Sequence, residues 1–268
     1  MFPIHTMTAM QRLIQISDTH LGCEPGPIRA GYPDSDTQLM RVLDALPREP
    51  AVDALLLSGD LAEDPEPATY ARLARQLRSR REPMLALAGN HDDSQTLRAG
   101  LAPETCQIHG EMMLGPWKLI GLDSSTPGEA AGRLDTAECK RLEQSLSAHP
   151  DCPTIVALHH PPVAIDSAWL DRLGLLDPDA LFAVLDRHPQ VRACLFGHIH
   201  QDFRARRGTI DLLGCPSTCV QFTPGSEDFA VDATLDAGYR ILDLHADGRF
   251  ETQVVRVPGT HIPMEPSE

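Results

Sequence analysis

A chain of 268 residues and 29.3 kDa can bury a full core without disulfides or structural metals. Hydrophobic residues make up 42% and charged residues 23%, ordinary for a globular protein, and no apolar run reaches the roughly 18 residues of a membrane span. The balance of 23 basic and 38 acidic residues gives a net charge of −15, which argues against non-specific binding to DNA, RNA or an anionic membrane.

The first 200 residues alternate apolar runs with amphipathic stretches. Strands are predicted at Leu13–Ser17, Val52–Ser58, Met84–Ala88, Trp117–Leu122, Thr154–Leu158 and Val191–Phe196. Helices are predicted between them at Thr37–Leu46, Pro67–Arg80, Thr136–Ala148 and Pro178–Arg187. Short, continuous apolar runs separated by helices indicate sheets covered on both faces, hence an α/β layered domain. Beyond residue 208 the helices stop. Thr209–Leu213, Tyr239–Leu244 and Phe250–Val257 read as strands, with Ala246–Arg249 as a hairpin turn. There is no internal repeat or linker, and the tail Pro263–Glu268 is expected to fray.

Seven cysteines, at 23, 106, 139, 152, 194, 215 and 219, form an odd set without a CxxC pair. Reduced thiols account for them better than a disulfide framework or zinc ribbon. The segment Met1–Met10 lacks the basic and long apolar regions of a secretion signal. The expected location is the cytoplasm.

The chemistry-bearing residues follow the strands directly: Asp18-Thr19-His20, Gly59-Asp60, Gly89-Asn90-His91, His159-His160-Pro161-Pro162 and Gly197-His198-Ile199-His200. Ligands bind at that edge of open α/β sheets. Carboxylate, amide oxygen and imidazole together suit a pair of transition metals such as Mn, Fe or Zn. Asp18 and His20, like His198 and His200, are two apart, so an extended segment would aim both members the same way. One D-x-H or H-x-H is weak evidence. Five such segments in order, each after a strand, are strong evidence. The negative net charge does not exclude an anionic substrate, since two cations reverse the field in a cleft.

These residues resemble the pattern D-x-H, G-D, G-N-H, H, G-H-x-H of the calcineurin-like metallophosphoesterase family. Ala157–Val163, Asp123-Ser124-Ser125, Cys215–Phe222, Asp228-Phe229 and Gly238-Tyr239-Arg240 extend the similarity to its class III cyclic nucleotide phosphodiesterases, with the bacterial 3′,5′-cyclic AMP enzymes as the nearest group. The resemblance implies a four-layer α/β/β/α sandwich of two mixed sheets flanked by helices. It implies one domain over 1–268, with a metal-site core at 11–202 and a β-rich C-terminal portion at 203–262. The implied cofactors are two divalent or trivalent metal ions, Fe and/or Mn, with Zn or Co as alternatives. Asp18, His20, Asp60 and His200 would hold the first; Asp60, Asn90, His159 and His198 would hold the second.

His20, Asp60, Asn90, His91 and His200 would meet the substrate. The implied reaction is hydrolysis of 3′,5′-cyclic AMP to 5′-AMP by a metal-bridging hydroxide, with His91 giving a proton to the leaving oxygen. The alternatives are a broader phosphodiesterase acting on glycerophosphodiesters or 2′,3′-cyclic nucleotides, and a metal-bound scaffold without turnover. The implied partner is a small cyclic nucleotide, with no nucleic acid or membrane partner and a possible homodimer.

Other residues carry blander expectations. His160 is expected to be structural or to touch phosphate or ligand-supporting groups. His109 is expected on a surface or loop, and His5, His149, His188, His245 and His261 facing solvent. Asp123 is expected to orient a ligand histidine or cap a turn. Asp64, Asp92 and Asp93 are expected in turns and caps, with Asp92 also able to tune His91. Cys215 and Cys219 are expected as buried thiols, Trp117 and Tyr239 in the core or an interface, and Arg72, Arg75, Arg78, Arg80 and Arg81 on a solvated helix face. Phe203 and Phe222 are candidates for stacking on a base, and the segment from Thr223 to Gly238 for an active-site flap or dimer contact.

Overall fold

The computed structural model describes residues 10–48, 50–101 and 106–262. His5 and the tail after residue 262 lie outside the described residues. Among the described residues, twelve strands form two six-stranded mixed sheets. In the first, β1 (Gln11–Ile16), β2 (Ala54–Ser58), β3 (Met84–Leu87) and β4 (Cys106–Ile108) run parallel, and β11 (Gly238–Leu244) and β12 (Phe250–Arg256) extend it antiparallel beyond β1. In the second, β6 (Trp117–Gly121), β7 (Thr154–Ala157), β8 (Val191–Phe196) and β10 (Ile210–Gly214) run parallel between antiparallel edges β5 (Gly110–Leu114) and β9 (Phe203–Arg207). Strands from the C-terminal portion are therefore shared between both sheets.

The two-residue period of the strands sorts the core into three apolar layers. Leu13, Leu56, Leu85 and Leu87 meet Leu119, Ile155, Ala193 and Leu195 between the sheets. On the outer face of the first sheet, Ile14, Ile16, Leu55 and Leu57 pack under α1 (Ser35–Ala45), α2 (Pro67–Leu77) and α3 (Ser94–Gly100). On the outer face of the second, Ile120, Val156, Cys194 and Phe196 pack under α4 (Thr136–Ala148), α5 (Ala168–Asp171) and α6 (Pro178–Leu185). This is the four-layer α/β/β/α order. Aspartates start three of the helices: Asp34, Asp93 and Asp135 each accept a bond from the backbone N–H three residues on.

Several local expectations are corrected. The Arg72 side chain is buried. It donates to Asp36 Oδ1 at 2.8 Å and to the Cys23 carbonyl at 2.9 Å, tying α2 to α1 and to the loop after β1. Helix α2 ends at Leu77, so Arg78, Arg80 and Arg81 lie beyond it. His188 is buried, with Nε2 3.1 Å from Glu143 Oε1. Phe203 packs on Phe196 in the outer layer of the second sheet. Trp117 and Tyr239 are core residues, and all seven cysteines are free; burial pushes the Cys215 and Cys219 thiols up to about 12.

Candidate active site

All the candidate side chains stand just past strand C-termini. Asp18, His20, Asp60, Asn90 and His91 follow β1, β2 and β3 of the first sheet; His159, His198 and His200 follow β7 and β8 of the second. The cleft therefore spans both sheets. The loops are laced together by backbone bonds: Asp18 N–H donates to the Gly59 carbonyl at 2.9 Å, His20 N–H to that of Asp60 at 3.0 Å, and Gly197 N–H to that of His159 at 3.0 Å. Between sheets, Gln15 Nε2, which also donates to Ser58 Oγ in its own sheet, donates to the Phe196 carbonyl, and His198 N–H donates to Asp18 Oδ1 at 3.0 Å.

The paired ligand candidates are not in extended backbone, as their spacing had suggested. Asp18, His20, Asp60, His198 and His200 all have positive φ, between 45° and 69°. That left-handed conformation costs of order 1–3 kcal/mol per residue and collects at functional sites. Turns aim the pairs inward, while the intervening Thr19 and Ile199 are buried and anchor them. Thr19 Oγ1 donates to the Leu61 carbonyl at 2.7 Å. Glycine is required beside them: a Cβ at Gly59, where φ is +97°, would stand 2.4 Å from His159 Nδ1, and one at Gly89 2.1 Å from Asp60 Oδ1.

The donor atoms gather into two groups that share one oxygen. In one, His20 Nε2 lies 3.2 Å from His200 Nε2 and 3.8 Å from Asp60 Oδ2, and His200 Nε2 lies 3.4 Å from Asp18 Oδ1. In the other, His159 Nε2 lies 3.3 Å from both Asp60 Oδ2 and Asn90 Oδ1, and His198 Nδ1 lies 2.9 Å from Asn90 Oδ1. Donors held about 2.1 Å from one cation stand about 3.0–3.4 Å apart; most of these edges fall there, and the His20–Asp60 edge at 3.8 Å is longer.

Outer hydrogen bonds set the tautomers. His20 Nδ1–H donates to Glu63 Oε2 at 2.8 Å, His159 Nδ1–H to the Ser58 carbonyl at 2.9 Å, and His200 Nδ1–H to the Val220 carbonyl at 2.8 Å. Each leaves an Nε2 lone pair turned inward against other acceptors. Acceptors gathered this closely call for positive charge, supplied by protons on the imidazoles or by metal ions, and the donor set fits two such ions.

Electrostatics agree with this arrangement. Burial alone would neutralise Asp60, yet His159 and His20 hold its carboxyl well below the usual range. Burial likewise opposes a charge on His159, but Asp60 lifts its imidazole to about 9. His198 and His160 go the other way. Burial and neighbouring imidazoles push both down, His160 to about 3. His160 Nδ1 lies 2.8 Å from Ser124 Oγ, while Nε2 is buried without a partner among the described residues.

His91 sits at the rim, its side chain 36% exposed, with Nδ1 3.4 Å from Glu63 Oε2. Glu63 thus touches both His20 and His91, a role that sequence reasoning missed. Its only sequence signal was an acidic residue three places after Asp60. Asp92 follows His91 in the Gly89 loop. Its buried carboxylate accepts from the backbone N–H groups of Leu61, Ala62 and Gly89 and from the Tyr70 hydroxyl, at 2.9–3.0 Å, stapling the Gly59 loop to the Gly89 loop. Asp64 accepts weakly from Cys23 N–H at 3.4 Å.

His109 is buried rather than on the surface. Its Nε2 accepts from Ala88 N–H at 3.0 Å, and Nδ1 faces Asp123 Oδ2 at 3.4 Å. Asp123 caps its own turn through Ser125 N–H at 3.0 Å and orients this histidine, not a ligand candidate.

The rest of the cleft is apolar and aromatic. Tyr32, Trp169, Leu173, Val220, Phe222 and Phe229 line the wall facing the donor groups, with Arg29 at its edge. Of the two proposed stacking residues, Phe222 lies here, flat against the His200 ring at 3.9 Å between centroids, and Phe203 does not.

The sequence pattern of the calcineurin-like phosphoesterase family matches residues 11–202. The chain belongs to that family. This calcineurin-like phosphoesterase is 40% identical, over 91% of its length and 89% of the relative's, to the 3′,5′-cyclic adenosine monophosphate phosphodiesterase CpdA of Pseudomonas aeruginosa. It is 38% identical to a 3′,5′-cyclic-nucleotide phosphodiesterase of Nostoc, covering 95% of both chains. A dimetal phosphatase of Danio rerio has the same fold, with a TM-score of 0.61 at 14% identity, covering 92% of this chain and 99% of that one.

Proposed function

We propose that this phosphoesterase hydrolyses 3′,5′-cyclic AMP to 5′-AMP with two bound metal ions. The observation that carries it is the pair of donor groups sharing Asp60 Oδ2, set against an aromatic wall. The likeness to enzymes named for that substrate, extending over nearly the whole of both chains, supports the choice.

Asp18, His20, Asp60 and His200 would hold one ion and Asp60, Asn90, His159 and His198 the other. Oxygen and imidazole donors without thiolate suit Fe and Mn, and also accept Zn and Co. Bound there, the ions would lower the pKa of water from 15.7 to about 7 and offset the charge on the phosphoryl oxygens.

The protein's own groups do the rest. Buried Asp60 keeps its charge because the surrounding imidazoles hold it. His20, Asp60, Asn90 and His200 face the phosphate position. His91 turns Nδ1 to Glu63, so its Nε2 is the atom that can give a proton to the leaving 3′-oxygen, a contribution of about 10²–10⁴-fold. The aromatic wall suits a nucleobase better than the polyol head of a glycerophosphodiester, and no ligand candidate is missing, as a scaffold without turnover would lead one to expect. Free buried thiols suit the cytoplasm, and strands of both sheets drawn from 203–262 suit a single domain.

The test is steady-state hydrolysis after loading with Mn²⁺ or Fe²⁺, on 3′,5′-cyclic AMP, 2′,3′-cyclic AMP and bis(p-nitrophenyl) phosphate. A kcat/KM of about 10⁴ M⁻¹s⁻¹ or more on the first, and lower on the others, is expected. Efficient turnover of the artificial diester with almost none of 3′,5′-cyclic AMP would overturn the substrate. His91→Ala is expected to keep both metals and lose most turnover; unchanged turnover would remove His91 from the mechanism.

A further inference from the structure

We infer that the aromatic wall is a nucleobase subsite in which Phe229 and Arg29 hold a purine ring by stacking and do not read its hydrogen-bonding edge. This rests on the phosphodiesterase activity proposed above and specifies how the substrate is chosen.

The segment after Gln221 is a short hairpin, not an unstructured loop. Asp232 N–H donates to the Gln221 carbonyl and Thr223 N–H to that of Ala230, both at 2.9 Å, and Phe222 pairs antiparallel with Val231. The hairpin is pinned at its tip, where Gly225 N–H donates to Ser167 Oγ at 3.1 Å. It brings Phe222 and Phe229 to the cleft beside the donor groups.

The two rings have different duties. Phe222 lies flat on His200, with interplanar angle 7°, and so backs a ligand candidate. Phe229 meets Trp169 and Phe222 only edge-on, at 5.2 and 5.4 Å, and remains 50% exposed. A half-exposed phenyl ring inside a concave site presents a face to whatever enters. Arg29, which also lines the cleft, stands over that ring at 6.0 Å from its centroid. A guanidinium and a phenyl face are both surfaces on which bases stack; at 6.0 Å the two are in direct contact, so a base entering between them would swing the flexible Arg29 side chain outward.

The polar groups of this wall explain what it cannot read. Arg29 and Trp169 are donors only, and the Trp169 indole N–H is buried without a partner among the described residues. The Tyr32 hydroxyl can accept as well as donate, and it already pairs with Arg29. A guanidinium lying flat on the base points its N–H groups past the ring and not at guanine O6 and N7, so adenine and guanine meet the same surfaces. Stacking, in contrast, grows with ring area and favours purines over pyrimidines.

The experiment uses the metal-loaded full chain with 3′,5′-cyclic AMP, GMP and CMP, and with methyl riboside 3′,5′-cyclic phosphate, which lacks a base. Wild type is expected to turn over the two purine substrates within about tenfold of each other, both ahead of cyclic CMP. Phe229→Ala is expected to shrink the preference for cyclic AMP over the baseless substrate by about tenfold, through KM. Phe229→Trp should restore it, and Arg29→Ala should give a smaller loss. An unchanged preference in both alanine variants, with cyclic AMP still hydrolysed by wild type, would overturn the subsite alone. Adenine favoured over guanine by more than about a hundredfold would overturn readout by stacking. Turnover of bis(p-nitrophenyl) phosphate without any cyclic nucleotide would overturn the substrate assignment, and this subsite with it.

Discussion

Behind the metal ligand candidates, two side chains hold the loops in place, and each has a separable signature. Glu63 accepts from His20 Nδ1 and faces His91 Nδ1 through a single oxygen, Oε2. Glu63→Gln keeps the size but removes the charge that fixes both rings. Metal affinity should fall about 10–100-fold, with kcat reduced further because His91 also loses its partner. Competition with a chromogenic chelator measures the first effect, and an unchanged affinity would refute the role.

His109 acts on the other side, as the acceptor for the Ala88 N–H immediately before the Gly89 loop. Burial holds its pKa below the ordinary 6.5, against the pull of Asp123. The folded state therefore takes up this proton less readily than the unfolded chain. Its contribution to stability is present above pH 6.5 and is lost as pH falls below that value. His109→Phe orphans the Ala88 N–H and should cost about 1–3 kcal/mol, and it should flatten the fall in stability below about pH 6.5. Urea melts at several pH values would show it; parallel wild-type and variant curves would count against it.

At the scale of elements, the Gly59 and Gly89 loops are one unit because Asp92 bonds three backbone N–H groups across them. Asp92→Ala should cost about 3 kcal/mol or more, since those donors are buried together. Gly89→Ala should displace Asp60 and weaken metal binding as well as stability, because the added Cβ would stand 2.1 Å from Asp60 Oδ1 and 2.4 Å from its backbone N. Calorimetry with metal titration separates the two, and a Gly89→Ala protein binding metal like wild type would contradict the close approach.

How much of this was legible follows from what each element buries. Strands such as β2 and β8, buried on both faces, show up as continuous apolar runs, and the ligand candidates could be placed at their ends. Strand β9 reads Phe-Arg-Ala-Arg-Arg with mostly exposed side chains. It is an edge strand kept from further pairing by its charges, and carries no apolar signal. Strand β4 has three residues and helix α3 seven, too short for a period to register. His109 was misplaced for the same reason: it directly follows the three-residue β4. Glu63, Asp92 and Phe229 were out of reach because their partners lie far away in sequence or in ring geometry, which no local pattern encodes.

At the scale of the whole molecule, the ligand candidates come from both sheets, so bound ions would clamp the two sheets together at one end. They would not be what holds the sheets together. The layer between them, from Leu13 and Leu85 to Leu119 and Leu195, is apolar and fully buried, and survives without ions. Removing the metals should leave secondary structure intact while lowering the melting temperature. Ligand at about 100 times its Kd adds about 2.7 kcal/mol of stability, which corresponds to about 5–10 °C for a chain of this size. Five ligand candidates in left-handed backbone push the same way. With no cation to hold them, their strain is relieved by loosening of the loops, so hydrogen exchange should speed up at residues 18–20, 59–60 and 198–200 before it does in β1, β2 and β8. Chelation followed by circular dichroism, melting and hydrogen exchange tests all three points. Collapse of the far-ultraviolet signal on chelation would show that the ions are needed for the fold, against the assignment of that role to the apolar layer.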